Sequence, residues 1–163
     1  MIVALSLMML GMVPVVQAQD MNSFVELLRK DIKAEKTAVI TMVMEFTDAE
    51  SEIFWPLYRE YEFEADKLVD SRIAVIREYA KSYDSMTNDI AKDLMGRVLK
   101  LQEKRLKLDK KYWKTFSKKL NPITAARFMQ VNGQINDLID LQIASELPLI
   151  QATGSDHEDH EGN

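Results

Sequence analysis

The chain has 163 residues, 47% hydrophobic and 29% charged, with 5 Gly, 4 Pro and no Cys. That is one domain's worth of chain with enough apolar side chains for a core, and too few turn formers for a turn-rich β sandwich. A net charge of -5 speaks against a strongly basic nucleic-acid binder, and the lack of Cys excludes disulfides, thiolate zinc sites, a cysteine nucleophile and an acylated lipoprotein anchor. Both His residues, His157 and His160, fall in the last seven positions, so imidazole acid–base catalysis has no place in the body of the chain.

Residues 2–16 carry no charge, and Val16-Gln17-Ala18 places small residues where signal peptidase reads them. This predicts a signal peptide over 1–18, cleaved after Ala18, and hence a periplasmic protein. No Lys or Arg precedes the apolar run, which departs from the usual pattern. The run is also short of the roughly twenty residues a membrane span needs, and Pro14 interrupts it, so no stable membrane anchor is expected.

From Ser23 to Pro148 the apolar residues recur with a helical period. Ser23 to Glu26 forms a capping box, and Val25, Leu28, Ile32, Val39 and Val43 mark one face of a first helix over 23–44. A second capping box, Thr47 to Glu50, opens a long helix carrying Phe54, Tyr58, Tyr61, Ala65, Leu68, Ile73, Ile76, Ala80 and Tyr83 as far as about Asp84. Pro56 lies inside it, where a kink is expected. Thr87 caps a third helix with two heptad tracks, Leu94, Leu101 and Leu108 on one, Leu99, Leu106, Trp113 and Leu120 on the other. Asn121-Pro122 starts the last helix, which presents Phe128, Val131, Ile135, Leu138 and Ile139 and stops before Pro148. Residues 152–163 are polar and acidic and read as a disordered tail, leaving 19–151 as a single helical domain. The short links predict an all-α fold of four helices, two of them long, in an elongated antiparallel hairpin. Two tracks on one helix imply contact on two sides, which a homodimer would supply.

The stretch Phe46-Thr47-Asp48-Ala49-Glu50 resembles the LTxxQ motif of the periplasmic Spy/CpxP-like family, with Phe for Leu and Glu for Gln. A counterpart before the last helix, Leu120-Asn121-Pro122-Ile123-Thr124, keeps the Leu and a capping residue but lacks the Gln. The signal-like N-terminus, the absence of Cys and the helix spacing fit the same family over roughly residues 46–148. The resemblance implies a cradle-shaped helical dimer acting either as an ATP-independent chaperone or as an adaptor in the envelope stress response.

The distribution of charge points to a binding surface. Residues 100–119 hold nine Lys or Arg against Glu103 and Asp109, a net of +7, whereas residues 48–84 hold ten acids against five bases. One reading is a solvated face with ion pairs between the second and third helices. The other is a cationic, amphipathic surface that attracts unfolded or partner proteins by charge and holds them by apolar contact. On that reading Lys107, Lys110, Lys111, Tyr112, Trp113, Lys114, Phe116 and Lys118 bind the client. The same composition would suit nucleic acid, which secretion disfavours. In the tail, His157 and His160 sit among Asp156, Glu158, Asp159 and Glu161, ligand types for weak zinc, copper or nickel binding without preorganised geometry. Met42 and Met44, on opposite faces of the first helix, are expected to pack rather than to bind copper.

No cofactor is otherwise implied. Glu60, Glu62, Glu64 and Asp66 crowd one helical segment, but an acid–base pair needs a pocket that drives its pKa values apart. No phosphate loop or zinc-protease signature accompanies them, so no enzyme is expected. The sequence thus favours a holdase-type chaperone or envelope-stress protein. A regulatory or metal-sensing protein acting on an envelope sensor kinase, with a role in metal resistance, is the alternative.

Overall fold

The computed structural model describes residues 32–150, so the signal-like segment 1–18 and the tail 152–163 lie outside the described residues. The fold there is all-α, with four helices and no strand among the described residues. The chain divides between Val39 and Ile40 into two units. Helix α1 is described over 32–44. Helix α2 runs Asp48–Ser82, followed by a 3-10 turn at Tyr83–Ser85, then α3 at Asn88–Lys119 and α4 at Pro122–Glu146.

The starts of α2, α3 and α4 are each fixed by a local hydrogen bond. Thr47 Oγ1 accepts from the N–H of Glu50 at 3.3 Å, while the N–H of Thr47 donates to Glu50 Oε2 at 3.1 Å, completing the capping box. Thr87 Oγ1 accepts from the N–H of Ile90 at 3.3 Å, and Asn121 Oδ1 from that of Thr124 at 2.9 Å, with Pro122 at the first helical position. Helix α2 continues through Pro56, although that ring removes one N–H from the ladder. It ends at Ser82, close to the expected limit of about Asp84, where the last turn tightens into the 3-10 segment.

Helices α2 and α3 form an antiparallel hairpin about 50 Å long at 1.5 Å per residue. Phe54 meets Phe116 near the open end, and Tyr61 meets Tyr112 further along. The tight link through Leu120 and Asn121 turns α4 back beside α3. Helix α4 then runs in the same direction as α2, with contacts from Glu50 to Thr124, Tyr61 to Asn132 and Arg72 to Asp140.

The core is an aromatic cluster where three helices converge. The rings of Phe54, Phe116 and Phe128 are fully buried, with centroids 4.8–5.4 Å apart, and Tyr58, Tyr61 and Tyr112 extend the cluster. Full burial of such a side chain contributes about 1.5–3 kcal/mol. The last turn of α1 adds Ile40 and Met44.

The rotational phase of the helices differs from the sequence expectation at three places. On α1 the inward positions in the core are Ile40 and Met44, while Val39 is exposed and Val43 only half-buried. Met44 therefore packs as expected, and Met42 faces outward, 72% exposed. On α2 Val75 is the buried apolar position near the distal end, with Ile73 and Ile76 half-buried and Ala80 exposed. On α4 the inward position after Phe128 is Asn132, and Leu138 is exposed.

Candidate functional site

Of the two heptad tracks on α3, one turns inward and most of the other stays outside. Leu94 and Leu108 are buried, whereas Leu99 and Leu106 are 53% and 55% exposed. Met95, one turn before Leu99, is 55% exposed, and Trp113 is 38% exposed. At 100° per residue Met95, Leu99, Leu106 and Trp113 share one narrow sector of the helix. Lys92, Lys107, Lys110 and Lys114 occupy the sector beside it, with Lys100 and Lys118 at its edge, all exposed. The outer face of α3 is thus an apolar stripe flanked by a ladder of lysines.

The phase of α3 is set on its inward side by a knot of polar groups. The Tyr61 hydroxyl donates to Asp109 Oδ1 at 3.0 Å and accepts from Arg105 Nη2 at 2.7 Å and from Asn132 Nδ2 at 2.8 Å. Arg105 Nε in turn donates to both Asp109 oxygens at 3.2 and 3.3 Å. Desolvation raises the pKa of Tyr61, so the phenol keeps the proton it donates. One hydroxyl therefore ties α2, α3 and α4 together, which holds Leu99 and Leu106 to the outside.

A second tie lies one turn further along. Glu64 Oε1 accepts from Lys111 Nζ at 2.5 Å and from Tyr112 Oη at 2.9 Å. These two hydrogen bonds lower the pKa of Glu64. Burial, followed by the Glu64 carboxylate, raises that of Tyr112.

These ties divide the residues expected to bind a client. Lys107, Lys110, Trp113, Lys114 and Lys118 lie on the exposed face. Tyr112 and Phe116 do not, because they continue the Leu108 track by steps of four into the aromatic core, 2% and 0% exposed. Lys111 is exposed but engaged with Glu64 on α2. The sequence reading missed Met95, whose only signal is its spacing of four from Leu99. Ion pairs between α2 and α3 absorb little of the charge. Among the described residues Lys92, Lys100, Lys104, Lys107, Lys110, Lys114, Lys118 and Lys119 enter no ion pair, and on α3 only Arg97, Arg105 and Lys111 do.

The two motif stretches meet in space. Phe46 packs on Phe54 with centroids 4.3 Å apart, and Leu120 lies half-buried against the core. Glu50, besides closing its capping box with Thr47, accepts from Thr124 Oγ1 through Oε1 at 3.0 Å, and Thr124 is the residue whose N–H Asn121 caps. The backbone N–H of Thr47, then its side chain and that of Thr124, lower the pKa of Glu50. The Glu at the end of the first stretch thereby joins the starts of α2 and α4.

Among the described residues no three His, Cys, Asp or Glu side chains gather to hold a metal, and no helix is long and apolar enough to cross a membrane. His157 and His160 lie outside the described residues. No family model, curated protein or solved structure matches the chain.

Proposed function

We propose that this protein is a periplasmic, ATP-independent holdase that captures unfolded chains on the outer face of α3. The observation that carries the reading is the exposed stripe Met95, Leu99, Leu106 and Trp113 beside lysines that have no ion-pair partner among the described residues. Lysines act over several ångströms and speed encounter with acidic chains, while the apolar stripe supplies weak contact after encounter. A stripe one side chain wide releases its client without an energy source, which suits a compartment lacking ATP. Two copies joined through this face would bring two +7 segments together, so its charge favours a client over a second copy.

The test is suppression of aggregation of a thermally unfolded, acidic client by residues 19–163 without nucleotide. Suppression is expected, and Leu99→Gln with Leu106→Gln should remove most of it, since Gln keeps helix propensity and removes the apolar contact. Undiminished suppression by that variant, or none by the parent, contradicts the reading.

A further inference from the structure

The segment after α4 does not leave the body freely. Tyr79 Oη donates to the carbonyl of Pro148 at 2.5 Å, and Tyr83 Oη to that of Leu149 at 3.1 Å. The two rings pack edge to face with centroids 5.8 Å apart. This clasp fixes residues 148 and 149 beside the tip of the α2–α3 hairpin, next to where α3 begins. The fourteen residues that follow carry Asp156, Glu158, Asp159 and Glu161 and no Lys or Arg.

Charge and reach then agree. An extended chain advances about 3.4 Å per residue, so Asp156 reaches about 20 Å from Ile150 and Glu161 about 37 Å. Along α3, at about 1.5 Å per residue, Lys100 lies about 18 Å and Lys107 about 28 Å from the start of the helix, and Lys118 about 45 Å. Nearer the tip Asp89 and Asp93 would repel an acidic segment, and the surface over Gly96 is an open depression with nothing within 4 Å of a side chain built there. The first stretch with a clear excess of positive charge is Lys100 to Lys107, where Lys100, Lys104 and Lys107 outnumber Glu103 and enter no ion pair among the described residues, and this is where the acids arrive.

We propose that Asp156–Glu161 folds back onto Lys100, Lys104 and Lys107 of the same chain, so that the acidic tail is a built-in occupant of the basic face. Each contact is an exposed ion pair worth little alone, but tethering supplies a high local concentration. The docking itself does not depend on the chaperone reading. Its consequence, that the tail competes with incoming acidic chains, does rest on it.

The experiment compares lysine acetylation rates, read by mass spectrometry, in the full chain and in Asp156→Asn/Glu158→Gln/Asp159→Asn/Glu161→Gln. At low salt Lys100, Lys104 and Lys107 should react two- to fivefold more slowly in the full chain. The difference should vanish at high salt and be independent of protein concentration, while Lys118 and Lys119, beyond the tail's reach, should react alike in both. Equal rates at Lys100, Lys104 and Lys107 overturn the proposal, as does protection that grows with protein concentration, which would place the tail on a second copy. Capture of an acidic unfolded client by the same two proteins separates the ideas. Faster capture by the neutral-tail variant supports competition. Protection of the lysines with no capture by either protein leaves the docking standing and removes the chaperone reading.

Discussion

At the scale of single residues, the Tyr61 hydroxyl has the largest effect for its size. It is the shared partner of Asp109, Arg105 and Asn132, and Asn132 Oδ1 is already buried without a hydrogen-bond partner. Tyr61→Phe should therefore cost about 1–3 kcal/mol in chemical denaturation, the penalty of stranding buried polar groups rather than the worth of one bond. Adding Asn132→Leu should recover part of that loss, because removing both partners is cheaper than removing one. If the double variant is no more stable than Tyr61→Phe, the knot is not what penalises the single change. Glu45 offers a gain instead. It ends α1 at φ 49°, in the left-handed region that disfavours a side chain. Its only described ion pair, with Arg127, is exposed and 3.7 Å long. Glu45→Gly should raise stability by up to about 1 kcal/mol, relief of strain outweighing the added chain entropy.

Acid should act through Glu64. Its folded-state pKa is held below the ordinary value of 4.5 by the hydrogen bonds from Lys111 and Tyr112. A depressed carboxylate contributes stability that is present above the unfolded pKa and lost as pH falls through the folded one. Melting temperature should thus fall as pH drops below about 4.5, and less steeply in Glu64→Gln. Parallel curves for the two proteins would show that the pair contributes nothing.

At the scale of helices, what was legible in the sequence was whatever is decided within one turn. Thr47, Thr87 and Asn121 cap as their spacing indicates, since a cap needs only the residue and an N–H two or three positions on. Rotational phase was less legible. Both tracks of α3 are apolar at heptad spacing, and what chooses between them is distant in sequence: Arg105 and Asp109 must face Tyr61, and Tyr112 must face Glu64. The aromatics at 112 and 116 could have been placed by continuing Leu108 in steps of four. Asn132 could not, because a polar residue on an inward face is explained only by its partner on α2. The same geometry sorts the lysines. Lys111→Glu should destabilise, by about 1 kcal/mol at most for so exposed a pair, while Lys107→Glu should leave the melt unchanged.

At the scale of the whole molecule, one side of α3 is spent on the fold, and the lysines of the other enter no ion pair among the described residues. The claim that this face captures clients is tested most directly by Lys107→Glu/Lys110→Glu/Lys114→Glu, three changes that touch neither the Tyr61 knot nor the Glu64 pair. Encounter driven by charge is screened over about 8 Å at physiological salt. The measurement is the rate of capture of an acidic unfolded client across a salt series, with circular dichroism melts on the same samples. The account predicts an unchanged melt, capture at least tenfold slower at low salt, and convergence with the parent protein at high salt. Unchanged capture rates and salt dependence in a stably folded variant would contradict it.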